Sequence, residues 1–308
     1  MRRKELGRDL GLSIRMLAVT VVLAGLYVGV ALLIAIAVLA DWDEDWRVFL
    51  LPPAFVLLLW VHYVSADRLV LGAAHANVVD TARAPELHAI VERLCGVADL
   101  PKPKIAIGRL KVPNAFAAGI THARSTIVVT TGLRDRLTKP ELEAVVAHEV
   151  AHLANRDAVV MTAASAFPVA AAFFLRRRFG PYAFERDELD FEERLAFKLF
   201  SPFAWVLYIV GFLLTVTISR YREYAADRGA AMLTGAPEQL MSALQKLSDE
   251  TDRIPSRDLR ALTGLNAFFI VPAATHSARF TVLRDHPPLE KRLRRLAAIS
   301  RELGKAAA

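Results

Sequence analysis

Cysteine is almost missing from this chain of 308 residues. Cys95 stands alone, so no intrachain disulfide can form, which fits a reducing compartment; within Val91-Glu92-Arg93-Leu94-Cys95 it reads as a packing residue. Histidine is scarce, at eight. No nucleic-acid-binding motif accompanies the formal net charge of +7, so nucleic acid is excluded as a partner and the surplus reads as basicity close to a membrane. Charge itself is missing from four stretches: Met16 to Ala40, Val48 to Val64, Ala158 to Leu175 and Leu199 to Ile218 contain no Asp, Glu, Lys or Arg. The mean hydropathy of +0.33 is therefore concentrated in runs rather than spread along the chain.

A bilayer crossing needs about 20 apolar residues. The first run exceeds that, and it is longer than the apolar part of a secretory signal and soon followed by another, which argues for a span. The second is shorter and carries Pro52 and Pro53, kinks that membrane helices tolerate. Arg2, Arg3, Lys4, Arg8 and Arg15 precede the first run, whereas the connection from Asp41 to Arg47 is acidic and holds Trp42 and Trp46, residues suited to an interface. The positive-inside rule then puts the N-terminus in the cytoplasm and returns the chain there at Ser65. The third and fourth runs are closer to the limit, and Pro168, Pro202 and several alanines leave two buried helices open as an alternative. If they do cross, Arg176-Arg177-Arg178 lies outside, against the same rule.

Between Ser65 and Asn155 the pattern is that of a soluble α+β domain. Pro85 to Ala98 reads as a helix with Leu87, Ile90, Val91 and Leu94 on one face, closed by Pro101 and Pro103. Lys104 to Ile107, Pro113 to Gly119 and the β-branched Ser125 to Thr131 read as adjacent strands of a small sheet. Were the middle one an edge strand, Asn114, Ala115 and Phe116 could hold an extended peptide by adding it to the sheet; an ordinary structural strand is an equal reading. Further on, Ala230 to Ser248 reads as an amphipathic helix, Leu265 to Pro272 as apolar but too short to span, and Leu289, Leu293, Leu296 and Leu303 mark a last helix.

The chemistry concentrates in Ala147-His148-Glu149-Val150-Ala151-His152, on a predicted helix from Lys139 to about Asn155. Positions four apart share a helical face, so His148 and His152 can aim at one point. Zinc takes neutral histidine nitrogen, and a catalytic zinc uses three protein ligands and one water whose proton a neighbouring carboxylate, here Glu149, can accept as general base. Leu142, Val145, Val146, Val150 and Leu153 make the helix a packed one, which disfavours a solvated polar face. A third ligand is needed. Glu223 and Asp227, again four apart, stand just after the last apolar run; alone they would read as an exposed ion-pair face among arginines, but with two histidines in search of a partner Glu223 becomes the candidate ligand and Asp227 the acceptor that orients a ligand ring.

Together these segments carry a resemblance. Pro113-Asn114-Ala115-Phe116-Ala117, Val129-Thr130-Thr131-Gly132-Leu133, His148-Glu149-Val150-Ala151-His152, Arg222-Glu223-Tyr224-Ala225-Ala226-Asp227 and His286-Pro287-Pro288-Leu289 follow one another as in the HtpX-like membrane zinc metalloproteases, relatives of the CAAX prenyl endopeptidases. The resemblance implies a mainly α integral membrane protein with about four transmembrane helices and a zincin-like (gluzincin) α+β catalytic domain facing the cytoplasm. It implies one Zn²⁺ held by His148, His152 and Glu223, with Glu149 as base and Asp227 in support, and activity on misfolded or damaged membrane proteins. His286 is expected near the site, as a donor to the developing oxyanion or as a helix cap. The expected organisation is a transmembrane hairpin over 1–64, the first protease half with sheet and metal helix over 65–157, a second hairpin over 158–218 and the second half over 219–308. Expected partners are peptide or membrane-protein substrates and the lipid bilayer of the cell membrane. A prenyl-protein processing enzyme would have more spans, and a silent zinc-binding scaffold would have no use for Glu149.

Overall fold

Local signals build the first elements of the computed structural model, which describes residues 14, 17, 18, 21, 22, 25, 57, 71, 72, 74–119, 121–161, 164, 191–253 and 287–306. Two compact units divide the chain: Met1–Ile14, His62–Val159 and Ser219–Ala308 make one, Arg15–Val61 and Val160–Ile218 the other. Among the described residues the fold is mainly helical with one small sheet.

The sheet belongs to the first unit. Its strands are β1 (Ala76–Val78), β2 (Lys104–Gly108), β3 (Ala115–Ala118) and β4 (Thr126–Thr130), in the order β1-β2-β4-β3. β2 runs parallel to β4, with Ile105 opposite Ile127, while β1 and β3 are antiparallel edge strands. All five residues of β4 are buried, which explains a β-branched run without polar alternation: the sheet is covered on both faces. Ile105, Ala115, Ile127 and Val129 face the helices, and Ala106, Phe116 and Val128 enter a smaller cluster behind. Two differences from the sequence reading appear here. β1 is too short to announce itself, and Thr131 leaves the strand to open a short helix, α2 (Thr131–Arg134), because the Thr130 hydroxyl accepts the Leu133 N–H at 3.2 Å and caps it.

α1 (Pro85–Ala98) and α3 (Lys139–Asn155) match the predicted helices. α3 starts where Pro140 follows a capping contact, the Thr138 N–H donating to Glu141 Oε2 at 2.9 Å. It stops at Arg156, whose backbone is left-handed at φ 55°. α4 (Phe191–Thr234) is 44 residues long with Pro202 inside it, and ends at Gly235, whose φ of 68° suits glycine. α5 (Pro237–Arg253) follows, so the single helix expected from Ala230 to Ser248 is two, divided by that left-handed turn. α6 (Leu289–Ala306) packs on α5, and both α5 and α1 pack on α3. Val91, Leu94, Val145, Val146, Val150, Leu244, Leu247 and Leu296 form the centre of the core.

In the second unit Thr215 Oγ1 donates to Ala164 O at 2.9 Å, and Val160, Met161, Ala164, Leu214 and Ile218 pack together. Its described surface is apolar: Leu17, Val21, Val22, Leu57, Trp205, Val206, Ile209 and Leu213 are exposed, Leu17 by 64%. Among the described residues no helix is long and apolar enough to cross a membrane. Most of the runs 16–40 and 48–64, residues 165–175, the Arg176 triplet and the segment 265–272 lie outside the described residues.

Candidate metal centre

α3 and α4 meet where their side chains are smallest. A methyl on Gly229 would stand 2.6 Å from Ala151 Cβ, so the Gly229 backbone lies directly against the Ala151 methyl, one residue from His152 and two from Asp227. That approach brings together His148, His152 and Glu223, whose donor atoms all lie within 4.8 Å of one another. His148 Nε2 is 3.1 Å from His152 Nε2 and 3.7 Å from Glu223 Oε2, and His152 Nε2 is 3.5 Å from Glu223 Oε1. Two ligands bound to zinc at about 2.0–2.1 Å in tetrahedral geometry stand roughly 3.3 Å apart, so the donor set has the spacing and the chemistry of a zinc site. The rings meet edge to face at 89°, with the two Nε2 atoms facing each other.

Carboxylates stand behind both rings. Asp227 Oδ1 is 3.1 Å from His148 Nδ1, and Asp157 Oδ2 is 2.5 Å from His152 Nδ1. Burial opposes charge on the His152 ring, yet the contacts with Asp157 and Glu223 outweigh it and raise its pKa to about 10; His148 is raised too, burial being outweighed by Asp227 and Glu223. The carboxylates of Asp157, Asp227 and Glu223 around the two rings supply the negative charge that a divalent cation needs.

Glu149, 4% exposed, has its carboxyl raised above the usual range, chiefly by burial, with the histidines opposing and Glu223 reinforcing. It accepts a hydrogen bond from the backbone N–H of Ala117 in β3. That contact ties Glu149 to the edge strand. Thr130 N–H donates to Asn114 O at 2.9 Å, and antiparallel pairing alternates, so Phe116 and Ala118 also face β4 while Ala115, itself buried, and the half-buried Ala117 turn their backbone groups to the edge away from β4. Asn114 is buried, and its N–H donates to Thr130 Oγ1 at 2.9 Å. Phe116 packs in the cluster behind the sheet, on the face opposite the helices.

Sequence reasoning missed three members of this constellation. Arg292 of α6, 2% exposed, donates from Nη2 and Nε to Asp227 at 2.6 and 2.9 Å and lies 3.2 Å from Glu223 Oε2 through Nη1. Its signal was readable: Leu289 and Leu296 share its helical face, where a basic residue must be buried with a partner. Asp157 and Arg222, whose Nε is 3.1 Å from Asp157 Oδ1, gave no such signal; Asp157 reads only as the polar end of a helix. His286 lies outside the described residues. His88 is structural, reaching Val79 O at 3.1 Å.

The chain belongs to peptidase family M48, whose model matches residues 81–300 and so spans the whole cluster. It is accordingly a metallopeptidase that uses zinc, with the His148, His152 and Glu223 cluster able to hold the ion. It is 43% identical to a Protease HtpX homolog of Moorella thermoacetica over 304 residues, 98% of each chain. A Protease HtpX homolog 2 of Methanosarcina acetivorans is likewise 43% identical, over 98% of this chain and 100% of that one. In fold it is similar to the crystal structure of S. mikatae Ste24p, with a TM-score of 0.53 at 20% identity, covering 94% of this chain and 67% of that one.

Proposed function

We propose that the protein is a membrane-embedded zinc endopeptidase in which His148, His152 and Glu223 hold the metal and Glu149 is the general base. The observation that carries this reading is the convergence of the three donors at zinc-compatible spacing beside a buried carboxyl of raised pKa. When bound, zinc supplies Lewis acidity toward the scissile carbonyl and lowers the pKa of water to near ~7. Glu149 accepts the proton of the attacking water and passes it to the leaving nitrogen; burial, which raises its carboxyl above the ordinary range, makes it the stronger base. Asp227, fixed by Arg292, holds the His148 ring in place. The outer edge of β3, through the backbone groups of Ala115 and the carbonyl of Ala117 beside Glu149, takes the substrate as an added strand, positioned by Asn114 and Phe116 from the pairing side. His286 acts as donor to the oxyanion; this reading is supported by the sequence closeness of Arg292, which reaches Glu223.

Residues 1–64 and 158–218 are membrane hairpins and 65–157 with 219–308 the two halves of the catalytic domain, on the cytoplasmic side of the cell membrane. The uncharged runs and the exposed apolar side chains of the second unit support this. Substrates are then misfolded or damaged membrane proteins and their exposed segments. Glu149→Gln tests the mechanism: purified protein should keep its zinc and lose cleavage of an unfolded casein-like substrate by at least ~10²-fold. Undiminished turnover would end the assignment. Single cysteines placed at residues 43 and 180 of a Cys95→Ala background should both label from outside, and labelling of either from the cytoplasm would overturn the topology.

A further inference from the structure

His148 sits at 1% side-chain exposure, enclosed by its neighbours, whereas His152 is at 13% and depends more on its polar contacts for orientation. We infer that Asp157 is the positioning residue of that second ring, and that Arg222 holds Asp157 in turn; this rests on the reading of His148, His152 and Glu223 as zinc ligands. Asp157 is 2% exposed and lies just past the left-handed Arg156, a reversal that carries its carboxylate back against the last turn of α3. Its Oδ2 stands 2.5 Å from His152 Nδ1. With Nδ1 occupied as donor, the lone pair is on Nε2, the atom 3.1 Å from His148 Nε2 and 3.5 Å from Glu223 Oε1.

A buried carboxylate must itself be compensated. The other oxygen of Asp157 is 3.1 Å from Nε of Arg222, the residue before Glu223 on α4. One ligand histidine and the ligand glutamate are thereby linked through a two-residue bridge that does not pass through the metal. Both members of the bridge belong to the first unit, Asp157 shortly before Val160 and Arg222 shortly after Ile218 in sequence.

The test uses the full chain in detergent, with the zinc dissociation constant measured by chelator competition and the visible spectrum recorded on the cobalt(II)-substituted protein. Asp157→Asn keeps the shape and one acceptor oxygen but loses the charge, and should weaken zinc binding by about 10-fold; Asp157→Ala loses both and should weaken it by about 100-fold. The cobalt bands of Asp157→Ala should shift. Arg222→Gln should weaken zinc in the same direction by less than Asp157→Asn, and Arg222→Lys should recover part of the loss. A merely structural Asp157 would lower the thermal midpoint while leaving the dissociation constant and spectrum unmoved. If Asp157→Ala does not fold, Asp157→Asn and Arg222→Gln decide: zinc constants within twofold of the parent overturn the inference. Failure of the underlying reading looks different, since then the parent binds no zinc or Glu223→Ala keeps it.

Discussion

Gly229→Ala adds one methyl group at the crossing on which the metal cluster depends. Its carbon would lie 2.6 Å from Ala151 Cβ, where unbonded carbons rest at about 3.5–4.0 Å, so the helices must part by about 1 Å. Neither methyl has a rotamer through which to escape. Overpacking of this kind costs about 1–3 kcal/mol, offset by the ~1 kcal/mol by which alanine favours a helix over glycine, so the fold should survive with a small loss of stability. The site should suffer far more. Moving α4 by that amount takes His152 Nε2 and Glu223 Oε1 from 3.5 Å to about 4.5 Å, beyond the roughly 3.3 Å that a tetrahedral zinc bridges. Displacement of about 1 Å at a reacting centre costs on the order of 100-fold, and kcat/KM on an unfolded substrate should fall by that factor, with zinc held more weakly. Adding Ala151→Gly gives back the space and should restore most of both quantities. Gly229→Ala with zinc affinity and turnover within twofold of the parent, or a double variant no better than the single one, would refute the reasoning.

Arg292→Leu leaves Asp227 and Glu223 buried without their guanidinium and should destabilise the protein by about 3–5 kcal/mol, read as a lowered thermal midpoint at saturating zinc. Thr130→Val removes the hydroxyl that donates toward Val112 O and Asn114 O and accepts from Asn114 N; KM for peptide should rise several-fold, as the strand entering the site loosens, with the zinc constant unchanged. Glu141, although burial pushes its carboxyl upward, is held at about 2 by Lys246, Ser242 and Thr138, against an ordinary 4.5. A depressed carboxyl stabilises above the unfolded value and ceases to do so as pH falls through the folded one. With Lys246 partly exposed, the advantage of the parent over Glu141→Gln should be about 2 kcal/mol at pH 7, roughly half that at pH 3 and absent near pH 2. A difference independent of pH across that window would contradict it.

Helices α1 and α3, the strands β2 and β4 and the pairing of His148 with His152 were legible because each depends on residues a few positions apart. Periodicity, capping and β-branching act over that distance, and so does the four-residue step that puts two imidazoles on one face. The break at Gly235 was less visible, since glycine inside a helical pattern becomes a stop only when its left-handed backbone is seen. β1 was invisible: Ala76-Asn77-Val78 is a strand only because β2 offers it an edge.

From the amino-acid order alone came the helix that carries His148, Glu149 and His152, the candidate third ligand and the charge-free runs. Only the folded chain decided which remote side chains complete the site. Asp227 and Arg292 are 65 positions apart; the apolar face of α6 marks Arg292 for burial without naming its partner, and nothing local distinguishes Asp157 from other charged residues near helix ends. Each is buried because a neighbour of opposite charge is already waiting there, and that neighbour is supplied by packing, above all by the Gly229 and Ala151 contact that lets α4 approach α3.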